Sequence, residues 1–166
     1  MFNIVPISEA HRKVVNDYIA ENWAGPYIVT RGKLIDTRTN SGFVAVDDKG
    51  ILGYALYNIA NGECEITVLE SLSENQGIGN ALVETIIQKA LHEGCTRIWL
   101  ITTNDNIRAI RFYQRIGFKL CAVHINALEE SRKLKPQIPL TGYDEIPIAH
   151  EFEFEKIGTK HVDTPL

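Results

Sequence analysis

The sequence predicts a single α/β domain built around one mixed sheet, and three observations support that prediction. The chain has 166 residues, which is the length of one domain. Segments with strand patterns alternate with segments of helical periodicity, and three consecutive strand patterns lie between residues 42 and 69. Neither internal repeats nor low-complexity segments interrupt this order. Such an arrangement is typical of a sheet that is covered by helices.

The N-terminal half begins with a short apolar run, residues 2–6, which predicts an edge strand. Ser8 can cap the helix that follows, because the apolar residues of SEAHRKVVNDYIAENW recur at helical spacing. Residues 24–41 are rich in Gly and polar side chains and are expected to form a loop, with a short helix or strand left open. Residues 42–59 predict a hairpin, and residues 63–69 add a third strand to an antiparallel meander.

The next part of the chain returns to alternating helices and strands. Helical periodicity runs from Gly77 to His92, and a strand with a continuous apolar centre, TRIWLITT, follows it. Asn104 or Asp105 can cap a second helix, which ends at Gly117. The buried side of that helix is predicted to carry Ile107, Ile110 and Ile116.

The last part of the chain predicts a strand, a short helix and a final strand. FKLCAVHI has the pattern of a strand, and NALEESRKLKP has that of a polar helix that Pro136 ends. IAHEFEFEK alternates apolar and charged residues, so we expect a strand with one face in water. The folded domain is therefore predicted to span residues 1–156, and residues 157–166 to form a flexible C-terminal tail.

Composition and charge exclude several function classes. The net charge is −4 and no run of basic residues occurs, which argues against nucleic acid as a partner. No apolar segment is long enough to cross a membrane, and the N-terminus has no apolar signal core. The three cysteines lie far apart and no histidines are paired at metal spacing, so we expect no metal site. Reduced thiols of this kind indicate a cytoplasmic protein.

The segment ITVLESLSENQGIGNALVETII carries the strongest chemical signal. A strand leads into a turn that contains Gly77 and Gly79, and the turn opens directly into a helix. The first N–H groups of a helix lack partners and carry partial positive charge, so this arrangement can bind an anion such as a phosphate. A simple tight turn is the alternative. The dinucleotide and triphosphate fingerprints do not fit, because Leu82 stands where a third glycine is required and no Gly-Lys pair follows.

Two segments together resemble the signatures of the GNAT superfamily of N-acetyltransferases. The first covers residues 74–79, with both glycines in place. Glu74 stands where a basic or amide residue is usual, so the backbone is expected to supply most of the anion binding. The second signature lies in NDNIRAIRFYQRIGF and matches Asn106, Ala109, Phe112, Tyr113, Gly117 and Phe118.

The resemblance implies a fold, a cosubstrate and a set of site residues. The fold is a central twisted sheet, mixed and mostly antiparallel, with helices on both faces. The cosubstrate is acetyl-CoA, without a metal. The resemblance places the following residues at the cofactor: Leu69, Gln76, Gly77, Ile78, Gly79, Asn106 and Tyr113. Among them, a backbone N–H near Leu69 or Glu70 is expected to bind the carbonyl oxygen of the thioester.

The implied reaction is direct attack of an amine on the thioester in a ternary complex. Tyr113 is the expected general acid, since a phenol remains protonated at neutral pH and can protonate the leaving thiolate. Glu65 is the candidate general base, with water or a group of the substrate as alternatives. Some relatives carry a glutamate in the strand before Asn106, but WLITT offers no carboxylate there.

The sequence leaves the acceptor open. We expect a small-molecule amine or a peptide N-terminus, bound by the segments around residues 23–40 and 135–150, and we leave a homodimer open. The alternative to an enzyme is a CoA-binding regulatory module with weak or lost activity, for which Glu74 is the argument. Turnover with an amine distinguishes the two.

Overall fold

The structure of the protein is a computed structural model that describes residues 1–73 and 76–158. The described strands are β1 (Asn3–Pro6), β2 (Tyr27–Thr30), β3 (Lys33–Asp36), β4 (Ser41–Asp47), β5 (Gly50–Ala60), β6 (Glu63–Ser71), β7 (Arg97–Thr103), β8 (Lys119–His124) and β9 (Glu151–Ile157). The described helices are α1 (Glu9–Trp23), α2 (Ile78–His92), α3 (Ile107–Arg115) and α4 (Ala127–Leu134).

Seven of the strands form one sheet in the order β1-β4-β5-β6-β7-β9-β8. The β6–β7 pair is parallel, and the other neighbouring strands are antiparallel. Strands β2 and β3 form a separate hairpin. The predicted α/β domain with a mixed, mostly antiparallel sheet is therefore confirmed.

Helices cover both faces of the sheet, and each face has its own apolar core. On one face, α2 and α3 bury Leu82, Ile86 and Tyr113 against the strands. On the other face, α1 buries Val15 and Ile19. Burial of these side chains stabilises the fold by about 1.5–3 kcal/mol for each large aliphatic residue.

Most of the predicted elements are present at the expected places. β1 is an edge strand, and residues 42–60 form the expected hairpin. Ser8 caps α1, because its hydroxyl accepts a hydrogen bond from the N–H of His11 while its own N–H donates to the His11 ring. β9 ends at Ile157, one residue inside the predicted tail, and residues 159–166 lie outside the described part.

The expected loop at residues 24–41 is instead largely structured. Residues 27–36 form the β2–β3 hairpin, and a short 3₁₀ turn follows at Thr37–Thr39. The hairpin turns at Arg31 and Gly32, both of which have positive φ values, 50° and 69°. That geometry is the type I′ turn that favours two-residue hairpins, but arginine is an unusual residue in it. The sequence signal for the β2–β3 hairpin was therefore weak.

The predicted cap of α3 was wrong. Asn106, rather than Asn104 or Asp105, is the N-cap, and its Oδ1 accepts a hydrogen bond from the N–H of Ala109 at 3.1 Å. Asn104 and Asp105 instead bind the backbone of the segment that precedes β9. Ile107, which the sequence placed on the buried side of this helix, is 51% exposed, whereas Tyr113 is buried.

The predicted wet face of β9 was also wrong. Glu151 and Glu153 are only 1% and 5% exposed. β9 is an inner strand between β7 and β8, and this face is covered by the turn of the β2–β3 hairpin and by α4. Strand alternation therefore predicted which side chains share a face, but not that the charged face would be covered.

A substitution of Leu82 tests how much the core between α2 and the sheet contributes to stability. The side chain of Leu82 is fully buried, whereas that of Val14, an apolar residue of α1, is 40% exposed. We expect Leu82→Ala to lower the free energy of unfolding by about 2–5 kcal/mol and the control Val14→Ala by less than about 0.5 kcal/mol. Urea unfolding measures both. Equal losses in the two variants would contradict this account of the core.

Candidate active site

A cleft opens where β6 and β7 part. The two strands pair at three positions, from Glu63 opposite Arg97 to Glu65 opposite Trp99. Beyond these positions β6 continues beside β5 and β7 continues beside β9, so the strands separate. The resulting cleft has a volume of about 700 Å³ and is lined by residues 66–69 of β6 and residues 101–103 of β7. That volume is ordinary for a small-molecule site.

A β-bulge in β6 accompanies this parting. Leu56 of β5 lies opposite Val68 and Tyr57 lies opposite Ile66, so Thr67 is the extra residue. Ile66 consequently joins the core beneath α2, whereas Val68 joins the core beneath α1. A bulge bends its strand and increases the local twist, which is the physical reason that β6 turns away from β7 here.

The unpaired edge of β6 presents the backbone of Leu69 to the cleft. The N–H of Leu72 donates to the carbonyl of Leu52 at 2.8 Å, and the antiparallel register with β5 continues unbroken back to Val68. Because N–H directions alternate along a strand, the N–H of Glu70 points toward β5 and that of Leu69 points to the other edge. Of the two predicted donors, Leu69 is thus the one that faces the cleft.

The start of α2 has the geometry of an anion site. Gly77 is the N-cap with φ of 74°, and no side chain caps the helix within the described residues. Ile78 is buried at 1% exposure and holds the first turn against the core. A Cβ added to Gly79 would lie 3.4 Å from the Phe112 ring, so α2 and α3 approach closely here. Gln76 is exposed beside the turn, and Glu74 lies outside the described residues.

α3 brings Asn106 and Tyr113 to the same cleft. Both residues line it, together with Ala109. The Oδ1 atom of Asn106 is engaged in the cap, so a contact from this side chain to a ligand would come from its amide nitrogen. The Tyr113 ring packs on Phe112, Phe118 and Phe154. Burial raises the pKa of Tyr113, which keeps its phenol protonated at neutral pH.

Glu65 is not brought into the cleft with Tyr113. Its carboxylate accepts a hydrogen bond of 3.2 Å from the hydroxyl of Thr30, which does line the cleft. Burial raises the pKa of Glu65, and the hydrogen bond from Thr30 opposes that effect. Any proton transfer between Glu65 and a ligand would have to pass through Thr30 or water.

The cleft is also lined by four charged residues that the sequence did not single out as site residues: Glu21, Asp105, Lys135 and Glu151. Lys135 is 9% exposed, and its Nζ donates to the carbonyl oxygens of Trp23 and Tyr27. Burial lowers the pKa of Lys135. These residues are far apart in sequence and lie in different elements, so no local pattern brings them together.

Beside Glu151, a charged network holds Glu153. Arg97 donates to the carboxylates of Glu63, Glu153 and Glu155 at 3.2, 2.6 and 2.5 Å. The ring of His124 lies 2.8 Å from the other oxygen of Glu153. Burial acts to raise the pKa of Glu153, but the hydrogen bonds from Arg97 and His124 outweigh it and lower that pKa.

No cluster of His, Cys, Asp and Glu side chains that could hold a metal ion occurs among residues 1–73 and 76–158. In the same part of the chain, no helix is both long and apolar enough to cross a membrane.

Comparison with known proteins identifies the family. A profile described as the acetyltransferase (GNAT) family matches residues 11–118. The uncharacterized protein YdhI of Bacillus subtilis (strain 168) is 40% identical over 158 residues, 95% of this chain and 99% of its own length. Streptothricin acetyltransferase of Streptomyces lavendulae is 35% identical over 97 residues, 55% of this chain and 50% of its own.

Solved structures share the fold. A Bacillus subtilis acetyltransferase in complex with CoA aligns with a TM-score of 0.70 at 16% identity, over 96% of this chain and 100% of its own. Together with the parted strands and the glycine turn of α2, the match of the family profile over residues 11–118 leads to one conclusion: the chain belongs to the GNAT family of acetyltransferases.

Proposed function

We propose that the protein is an N-acetyltransferase that moves the acetyl group of acetyl-CoA to a primary amine, by direct attack in a ternary complex. The observation that carries this proposal is the cleft between β6 and β7. The Leu69 N–H lies on one of its walls and Tyr113 lines it. The start of α2, which no described side chain caps, is the proposed anion site, although its residues are not part of the cleft lining. The predicted alternative, a regulatory module that binds CoA without turnover, has no described residue in its favour.

The residues of the cleft fit the parts of acetyl-CoA. The N–H groups at the start of α2, from Gly77 to Gly79, can bind the diphosphate, which needs donors and positive potential. The free edge of β6 can pair with the amides of the pantetheine arm. The N–H of Leu69 can then stabilise the negative charge that develops on the thioester oxygen.

Tyr113 supplies the proton of the leaving group. The amine nitrogen forms a bond to the acetyl carbon, the carbon–sulfur bond breaks, and the phenol of Tyr113 protonates the departing thiolate. The hydroxyl makes no hydrogen bond to another side chain or backbone group of the described residues, so its proton is available to a ligand.

Charge favours a cationic acceptor. Three carboxylates, those of Glu21, Asp105 and Glu151, line the cleft against one ammonium group, that of Lys135. A primary amine is mainly protonated at neutral pH and is attracted to such a lining. A small molecule or a peptide N-terminus meets this requirement, and the relative that is a streptothricin acetyltransferase supports a small-molecule acceptor.

Free cysteines in the described part accord with our placement of the protein in the cytoplasm.

Thiol release from acetyl-CoA over a panel of primary amines tests the proposed activity. Tyr113→Phe should lower kcat at least about 100-fold, because the acid is lost while the aromatic packing is kept. The affinity for CoA should remain unchanged. The matched control is Tyr57→Phe, a buried tyrosine that does not line the cleft, and its kcat should be that of the wild type. Tight CoA binding without turnover on any amine would favour the regulatory module instead.

A pair of substitutions at Gly77 tests the anion site. Asp and Asn both tolerate the positive φ of this position, and they differ by one negative charge. We expect Gly77→Asp to weaken CoA binding about tenfold or more relative to Gly77→Asn, because a carboxylate at the start of α2 repels the diphosphate. Calorimetry with CoA measures the difference, and pantetheine, which lacks the diphosphate, is the control ligand. Equal CoA affinities of the two variants would show that the diphosphate is not bound at this site.

A further inference from the structure

We propose that Glu151 is the general base that takes the proton from the ammonium group of the acceptor. The inference rests on the proposed N-acetyltransferase activity and assigns the one proton transfer which that activity leaves unassigned. It follows from the position of Glu151 in the cleft and from the absence of a cation within ion-pair distance among the described residues.

Glu151 is the first residue of β9. It is opposite Thr103 of β7 on one side and His124 of β8 on the other. The residue is 1% exposed, yet it lines the cleft, as do Thr103 and Thr30. The carboxylate therefore lies at one wall of the cleft and is shielded from bulk water.

The hydrogen bonds to Glu151 are few and neutral. One oxygen accepts from the backbone N–H of Arg31 at 3.0 Å, and the other lies 3.5 Å from the hydroxyl of Ser131. That hydroxyl also lies 3.2 Å from the carbonyl of Ala127, so its single proton is shared between two acceptors. A carboxylate has about four acceptor positions, so Glu151 keeps capacity for a donor from the ligand.

Glu151 and Glu153 share a face of β9 but differ in their partners. Glu153 is held by Arg97 and His124, and Arg31 lies 3.9 Å away. No described cation lies within 4 Å of Glu151. Burial raises the pKa of Glu151, whereas the pKa of Glu153 is lowered. Two nearby carboxylates with opposite shifts are typical of a site in which one group stays ionised and the other exchanges a proton.

The groups that face Glu151 offset only part of the rise in its pKa that burial causes. Arg31, at the turn of the β2–β3 hairpin, and His124, on β8, act at a distance to lower the pKa of Glu151. β7 presents Thr103 and α4 presents Ser131, neither of which carries charge. Lys135 lines the same cleft, but its Nζ is bound to the carbonyl oxygens of Trp23 and Tyr27.

The proton transfers balance. The acceptor ammonium gives one proton to Glu151, and the resulting amine attacks the acetyl carbon. As the carbon–sulfur bond breaks, Tyr113 gives its proton to the thiolate and receives the second proton from the nitrogen. Glu151 then releases its proton to water when the cleft opens to solvent. The products are the amide, CoA and one proton.

Glu151→Gln tests the inference through the pH dependence of turnover, with the best amine of the panel as acceptor. At pH 7 we expect kcat/KM to fall at least about 100-fold. The remaining rate should rise with pH and approach that of the wild type at about pH 10, where alkyl amines lose their proton unaided. A loss that is equal at every pH, or no loss at all, would overturn the inference. Failure of the proposed activity differs from this result, because the wild type itself would then be inactive.

Stability separates a catalytic role from a structural one. The folded-state pKa of Glu151 is raised, so its ionised form costs stability as pH rises through that pKa. Glu151→Gln should therefore raise Tm at pH 7, by about 2–4 °C, with no gain at low pH where the carboxyl is protonated.

Glu153→Gln is the matched control. Because the pKa of Glu153 is lowered, this change should lower Tm at pH 7 and leave the shape of the pH–rate profile unaltered. A lower Tm for Glu151→Gln would assign Glu151 a structural role instead.

Discussion

The parting of β6 from β7 is the constraint on which the rest of the site depends. A parallel pair that ends after three residue pairs leaves one strand edge without partners, and the bulge at Thr67 bends β6 so that the gap becomes a cleft. Unpaired backbone groups are costly unless water or a ligand binds them. The N–H of Leu69 lies on this edge, and we propose that its partner is a ligand bound in the cleft.

Three kinds of polar group carry the proposed reaction, and in that proposal each acts on a different part of it. The backbone at the start of α2 carries partial positive charge that needs no side chain. Tyr113 remains protonated because its environment is apolar. Glu151 has no cation partner within reach among the described residues, whereas Glu153 is bound on both oxygens. In the proposed reaction, burial and pairing, rather than unusual residue types, distinguish the acid from the base.

Local patterns were sufficient to predict the glycine turn before α2 and the helix α3, but not the burial of Glu151. The turn at Gly77 and the helix with Asn106 and Tyr113 are contiguous segments whose geometry follows from glycine, capping and helical periodicity. Glu151 could not be found in this way, since the alternation in β9 places it on a polar face. Only the packing of the β2–β3 hairpin and α4 on that face buries it, and the type I′ turn at Arg31 had no strong sequence signal.

A crystal structure of the protein with acetyl-CoA is the most direct test of the account. It should place oxygens of the diphosphate about 2.7–3.2 Å from the N–H groups of the first turn of α2, and the thioester oxygen at the same distance from the N–H of Leu69. A complex in which acetyl-CoA lies outside the cleft between β6 and β7, or in which the first turn of α2 contacts no phosphate oxygen, would contradict it.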